Sequence, residues 1–199
     1  DPIMATAELI ESLNTIVSRR INIINNPAVV SVGLVKAGTR NNIIPEDAQI
    51  MGTIRTFDPL LRKQIYEEIE QIAKGVALGT GTQISVEFDV GGFYPVTYNE
   101  PKLVNAMKGS LMEASPGRFY ESNIPVTGAE DFSYFSQEIP GMYFWLGINK
   151  PGVGLESANF GERTDVAGNH SPYFYVDDSA LDEGVRAFVY LIDDYPGKF

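Results

Sequence analysis

The single histidine of this 199-residue chain, His170, stands in the run His-Ser-Pro-Tyr-Phe-Tyr, ahead of the acidic pair Asp177-Asp178 and behind a stretch that carries Gly161 and Gly168. A neutral imidazole offers one nitrogen lone pair while its other nitrogen can be held by a neighbour, so histidine serves as metal ligand or general base. The competing reading is a loop histidine that bonds backbone and holds a turn ahead of Pro172. With no cysteine in the chain, a metal site would need carboxylates or another segment to complete it. Glu130-Asp131, just after Thr127-Gly128, reads either as a carboxylate-rich helix start or as part of a glycine turn whose N–H groups receive a ligand carboxylate. Asn42 and Arg55 form a third set. A guanidinium fork with an amide clamps a carboxylate, whereas the bland alternative is a surface-strand arginine and a turn asparagine.

Composition narrows the partners. A net charge of -11 and a pI near 4.5 exclude a phosphate-tracking basic surface, so nucleic acid is set aside. No run nears the roughly 18 apolar residues of a membrane span, and the N-terminus shows no signal-peptide pattern. A soluble cytoplasmic protein is the expectation. Asp1-Pro2 enters a helical pattern at once, without an initiator methionine; a piece of something longer is expected.

The elements that must position these residues follow from periodicity. Asp1 caps a helix with Pro2 at its first position. Ile3, Ala7, Ile10, Leu13 and Val17, beside Leu9 and Ile16, mark its inward stripe through about Arg20. Strands are predicted at 29–35 and 48–57, the second placing Ala48, Ile50, Gly52 and Ile54 on one face and Arg55 on the other. Asp58-Pro59 opens a second helix with Leu61, Ile65, Ile69, Ile72 and Val76 inward. Residues 82–90 alternate as a half-buried strand (Ile84, Val86, Phe88, Val90). This order predicts an antiparallel sheet with both helices on one face, and a strand before Asp1 would complete a β-α-β-β-α-β unit. After a boundary at 92–99 come a helix at 100–114, a short helix to about Gln137 and a buried strand at 142–146. A long irregular loop at 148–169 follows. The last helix, from about Asp178, is read with Leu181, Val185, Phe188, Val189 and Ile192 inward.

Taken in order, Asn42-Ile43-Ile44-Pro45-Glu46, Gly52-Thr53-Ile54-Arg55-Thr56-Phe57, Gly128-Ala129-Glu130-Asp131-Phe132 and His170-Ser171-Pro172 resemble the M20 family of metallopeptidases and amidohydrolases. The nearest resemblance is to the subgroup that hydrolyses N-acyl amino acids, including hippurate hydrolase-like enzymes, and it covers essentially the whole chain. The resemblance implies an α/β enzyme of two domains. Residues 1–91 would be a ferredoxin-like dimerisation lid missing its first strand, and 92–199 the C-terminal part of a Zn-peptidase-like α/β catalytic domain. It implies two divalent metal ions, zinc or manganese, in the intact enzyme, with His170 as a metal ligand. Asn42, Arg55 and Gly128 would bind the carboxylate of a small N-acyl amino acid or peptide-like substrate, and the lid would make a homodimer. The catalytic base and the remaining metal ligands would lie before residue 1. The chain alone is therefore expected to bind no metal stably and to be inactive. Two other classes compete: a non-enzymatic dimerisation or binding module, and a hydrolase working through carboxylates alone.

Overall fold

The computed structural model describes residues 1–24, 26–122, 124–148 and 167–197. The chain is a mixed α/β protein with a small antiparallel sheet, and it divides into two compact units. One comprises Asp1–Val96 with Thr127–Ala129, the other Thr97–Val126 with Glu130–Phe199.

In the first unit α1 (Pro2–Thr15) starts as its sequence dictates, the Asp1 carboxylate accepting from the N–H groups of Ile3 and Met4. Its last turn, Ile16–Arg20, widens to a π-helical turn closed by the Ile21 N–H on the Ile16 carbonyl. The inward stripe is Ala5, Leu9, Leu13 and Ile16, while Ile3 and Ala7, expected inward, are exposed. The bulky trio Leu9, Leu13 and Ile16 sets the face, and Ile3 and Ala7 fall on its flank. Strands β1 (Ala28–Ala37) and β2 (Ala48–Thr56) pair antiparallel, with Gly33 as the extra residue of a bulge between Val32 and Leu34. Helix α2 (Pro59–Thr80) is capped by Asp58 and ends at Gly81 in the left-handed conformation that glycine adopts without steric cost. Leu61, Ile65, Ile72 and Val76 of α2 close on α1 and on Ala28, Val30 and Ile54 of the hairpin. Each such buried side chain contributes about 1.5–3 kcal/mol. Both helices thus cover one face of the hairpin, and Arg55 stands on the other.

Residues 82–90 show the predicted alternation in burial, with Ile84, Val86 and Phe88 half-buried, but they form no ladder. A ladder needs a neighbouring strand, and among the described residues none lies beside them. Side chains hold the segment instead. Phe88 stacks on Tyr66 at 3.9 Å between ring centroids, the Tyr66 hydroxyl donates to Asp89 Oδ1 at 2.7 Å, and Arg62 lies 3.8 Å from the Phe93 centroid.

In the second unit α3 (Pro101–Ala114) packs on α5 (Ser179–Asp194), with α4 (Phe132–Glu138) between them in sequence. Leu111, Ala114 and Ala187 form the buried centre, flanked by Phe119, Met142, Phe144 and Leu191. Polar pins join the two helices: Ser110 Oγ donates to Asp194 Oδ2 at 2.5 Å, and Ser115 Oγ donates to Glu183 Oε2 at 2.6 Å while Arg118 pairs with Glu183. The pins orient α5 against expectation. Ala180, Glu183, Gly184 and Ala187 face inward, while Leu181, Val185, Phe188, Val189 and Ile192 are 54–71% exposed.

The run at 142–146, expected as a strand buried on both faces, is neither: it has no ladder, and Trp145 and Leu146 are exposed. Asn99 takes the place of a strand neighbour at one residue, its Nδ2 donating to the Tyr143 carbonyl (2.9 Å) and its Oδ1 accepting from the Tyr143 N–H (2.6 Å). The loop expected at 148–169 lies, except at its ends, outside the described residues.

Position 52 tests the hairpin. A Cβ there would meet the Ser31 carbonyl oxygen at 2.2 Å, whereas one at 33 would meet nothing within 4 Å. Gly52→Ala should lower stability by about 1–3 kcal/mol, and Gly33→Ala should change it by less than about 0.5 kcal/mol, both read from urea midpoints. Equal midpoints for the two variants would sink the packing argument.

Tyr66 supplies a pH signature. Burial, then the bond to Asp89 and its charge, push this phenol up to about 12 from 10. Its neutral form is the one the fold favours, so the stabilisation is complete below pH 10 and is lost as pH rises towards about 12. Tyr66→Phe should remove that alkaline loss, measured as stability against pH; an unchanged alkaline limb would show that Tyr66 is not its source.

Candidate functional site

Three of the residues singled out in the sequence belong to the first unit. Asn42 lies exposed in the turn between β1 and β2, where the Ile43 N–H bonds the Arg40 carbonyl at 3.5 Å. Arg55 is directed to the uncovered face by strand alternation, since Ile54 and Thr56 on either side of it turn towards the helices. Its cross-strand partner is Val29, and the next pair on that face is Ser31 with Thr53, whose hydroxyls are 3.0 Å apart. Gly128 is exposed, and its neighbour Thr127 is tied to the hairpin: Arg55 Nη1 donates to the Thr127 carbonyl at 2.5 Å. Arg55 and the segment 127–129, which is irregular backbone and not the glycine turn expected from its sequence, are therefore brought together across 72 residues of sequence. Among the described residues no hydrogen bond or ion pair joins Asn42 to either.

His170 belongs to the second unit and is exposed. It occupies a turn closed by the Ser171 N–H on the Gly168 carbonyl at 3.1 Å, with φ +68°. A β-carbon is unfavourable in that region, so a side chain is held here at a backbone cost of about 1–2 kcal/mol. Glu130 and Asp131 stand at the start of α4. Burial, then the charge and hydrogen bond of Glu130 and the charge of Asp131, push the Tyr143 phenol above its ordinary value.

Two residues of this region were missed by sequence reasoning. Tyr143 was read as part of an apolar run, though a tyrosine there carries a hydroxyl that seeks a partner when buried. Thr127 acts through its backbone, which no side-chain pattern announces.

Whether these residues fit a metal pair can be judged from their donors. Among the described residues no three histidine, aspartate or glutamate side chains are grouped as a cation would require. His170 is one exposed imidazole, and the described donor set does not by itself fit two metal ions.

Residues 10–194 match Peptidase family M20/M25/M40, and the chain belongs to that family. It is 33% identical over 193 residues to an N-acetyldiaminopimelate deacetylase of Lacticaseibacillus paracasei, covering 97% of this chain and 46% of that protein. It is also 33% identical over 191 residues to the N-acetylcysteine deacetylase of Bacillus subtilis, covering 96% and 45%. Among solved structures, a dinuclear metal-binding peptidase of the M20 family from Bacillus subtilis superposes with a TM-score of 0.71 at 28% identity, over 100% of this chain and 47% of that one. The chain spans about half the length of the curated relatives it matches.

The strained turn yields a direct check. His170→Gly should raise stability by about 1 kcal/mol by relieving the left-handed backbone, with the urea midpoint as readout. A lower midpoint would mean that the imidazole makes contacts worth more than the backbone cost.

Proposed function

We propose that this chain is the substrate-carboxylate-reading part of a metal-dependent hydrolase that cleaves the amide bond of N-acyl amino acids. The observation that carries the reading is the hydrogen bond from Arg55 to Thr127, which puts a guanidinium beside the exposed Gly128 segment. Family membership and deacetylase relatives support amide hydrolysis as the reaction class. On this reading residues 1–91 form the β-α-β-β-α-β lid without its first strand and 92–199 the C-terminal part of the catalytic domain. Arg55 engages both oxygens of the substrate carboxylate, Asn42 adds an amide donor, and the N–H groups around Gly128 line the same pocket. Fixing the carboxylate fixes where the scissile carbonyl lies, which is the contribution of such residues to rate.

His170 is proposed as a ligand to one of two zinc or manganese ions in the whole enzyme. The solved relative described as dinuclear supports a metal role, and the described donors point to the other ligands being supplied from elsewhere. We take the whole enzyme to be cytoplasmic and homodimeric through the lid. Exposed Val29, Leu34, Val35 and Met51 on the hairpin support such a contact, and no helix among the described residues is long and apolar enough to cross a membrane.

The deciding experiment compares substrates on the full-length polypeptide. Arg55→Ala should lower kcat/KM for an N-acetyl amino acid by about ten- to a hundredfold and should leave the corresponding N-acetyl amine, which lacks the carboxylate, unaffected. An equal loss for both substrates would remove Arg55 from carboxylate recognition. The 199-residue chain alone, supplied with zinc or manganese, should release no acetate; turnover by it would overturn the division of labour proposed here.

A further inference from the structure

Arg55 carries more hydrogen-bonding capacity than its one observed bond uses. A guanidinium has five N–H donors in a fixed fork. One Nη1 donor is committed to the Thr127 carbonyl, and no other partner of Arg55 occurs among the described residues. Its strand face presents Val29 and the Ser31–Thr53 hydroxyl pair, so no carboxylate on that face of the hairpin competes for the remaining donors. The segment 124–129 is exposed throughout, and among the described residues no other hydrogen bond ties residues 127–129 to the rest of the first unit.

We infer that Arg55 is a positioning residue as well as a ligand contact: its Nη1 clips the segment 127–129 to β2 by the Thr127 carbonyl, and the free edge of the same fork meets the ligand carboxylate. The two tasks need different chemistry. Holding a carbonyl takes one donor on a cation, which a lysine ammonium supplies. Reading a carboxylate through two parallel bonds takes the planar fork, which lysine lacks. Occupation of the free edge leaves the clip intact, so the ligand and the segment are held by one side chain without competing. The second task rests on the carboxylate-clamp reading given above; the first does not.

The experiment uses the purified 199-residue chain and its Arg55→Ala and Arg55→Lys variants, followed by amide NMR. Unchanged α2 resonances report that each variant folds. In the wild type the order parameters of Gly128 and Ala129 should be near 0.85, falling below about 0.6 in Arg55→Ala and returning towards the wild-type value in Arg55→Lys. N-acetylglycine, titrated as the carboxylate probe, should shift the Gly128 amide in the wild type and bind at least about tenfold more weakly to Arg55→Lys. Order parameters unchanged in Arg55→Ala would overturn the clip. Equal loss in Arg55→Ala and Arg55→Lys would overturn the division between one donor and the fork. Failure of N-acetylglycine to bind the wild type would count against the carboxylate clamp alone, because the comparison of order parameters involves no ligand.

Discussion

A missing side chain organises the first unit. At position 52 a Cβ would collide with the Ser31 carbonyl oxygen, so β1 and β2 close to hydrogen-bonding distance there only because residue 52 is glycine. That approach fixes the pairing of Val32 with Gly52, and the bulge at Gly33 absorbs the odd residue. Since a slip of one residue would exchange the faces of a strand, the same contact decides that Ile54 joins the core and that Arg55 faces away from it. The orientation of the guanidinium towards Thr127 is thus inherited from a backbone contact three residues earlier.

The second unit is governed by polar rather than apolar selection. Helix α5 has a stripe of large apolar side chains, yet it meets α3 through Ala187, Leu191 and two carboxylates. The Glu183 carboxylate keeps one hydrogen bond, from the Ser115 hydroxyl to Oε2, while its buried Oε1 has the Arg118 charge beside it but no hydrogen bond. Small side chains at 180, 184 and 187 let the helices come close enough for those bonds.

What was legible in the sequence was local. The Asp-Pro caps of α1 and α2, the alternation of β2 and the side of the sheet that carries Arg55 all depend on residues within a few positions of one another. What failed was non-local. Periodicity says which face of α5 is apolar but not which face has a neighbour, and the run at 142–146 has strand composition without a strand beside it. Residues 82–90 show both halves of the lesson, since their burial alternates as expected while their ladder is missing. For the site, residue types and order are what nominate Asn42, Arg55, Gly128 and His170 as candidates. The link from Arg55 to Thr127 and the left-handed backbone of His170 arise from tertiary folding and have no sequence period.

The amide of Asn99 has one more consequence. Met-Tyr-Phe-Trp-Leu at 142–146 is apolar, aromatic and without charge, the composition that stacks into cross-β assemblies when its backbone is free. By occupying both backbone hydrogen-bonding groups of Tyr143, the second residue of that run, Asn99 acts as a strand one residue long that cannot be extended. It thereby denies an incoming chain one of the rungs from which templated aggregation would propagate.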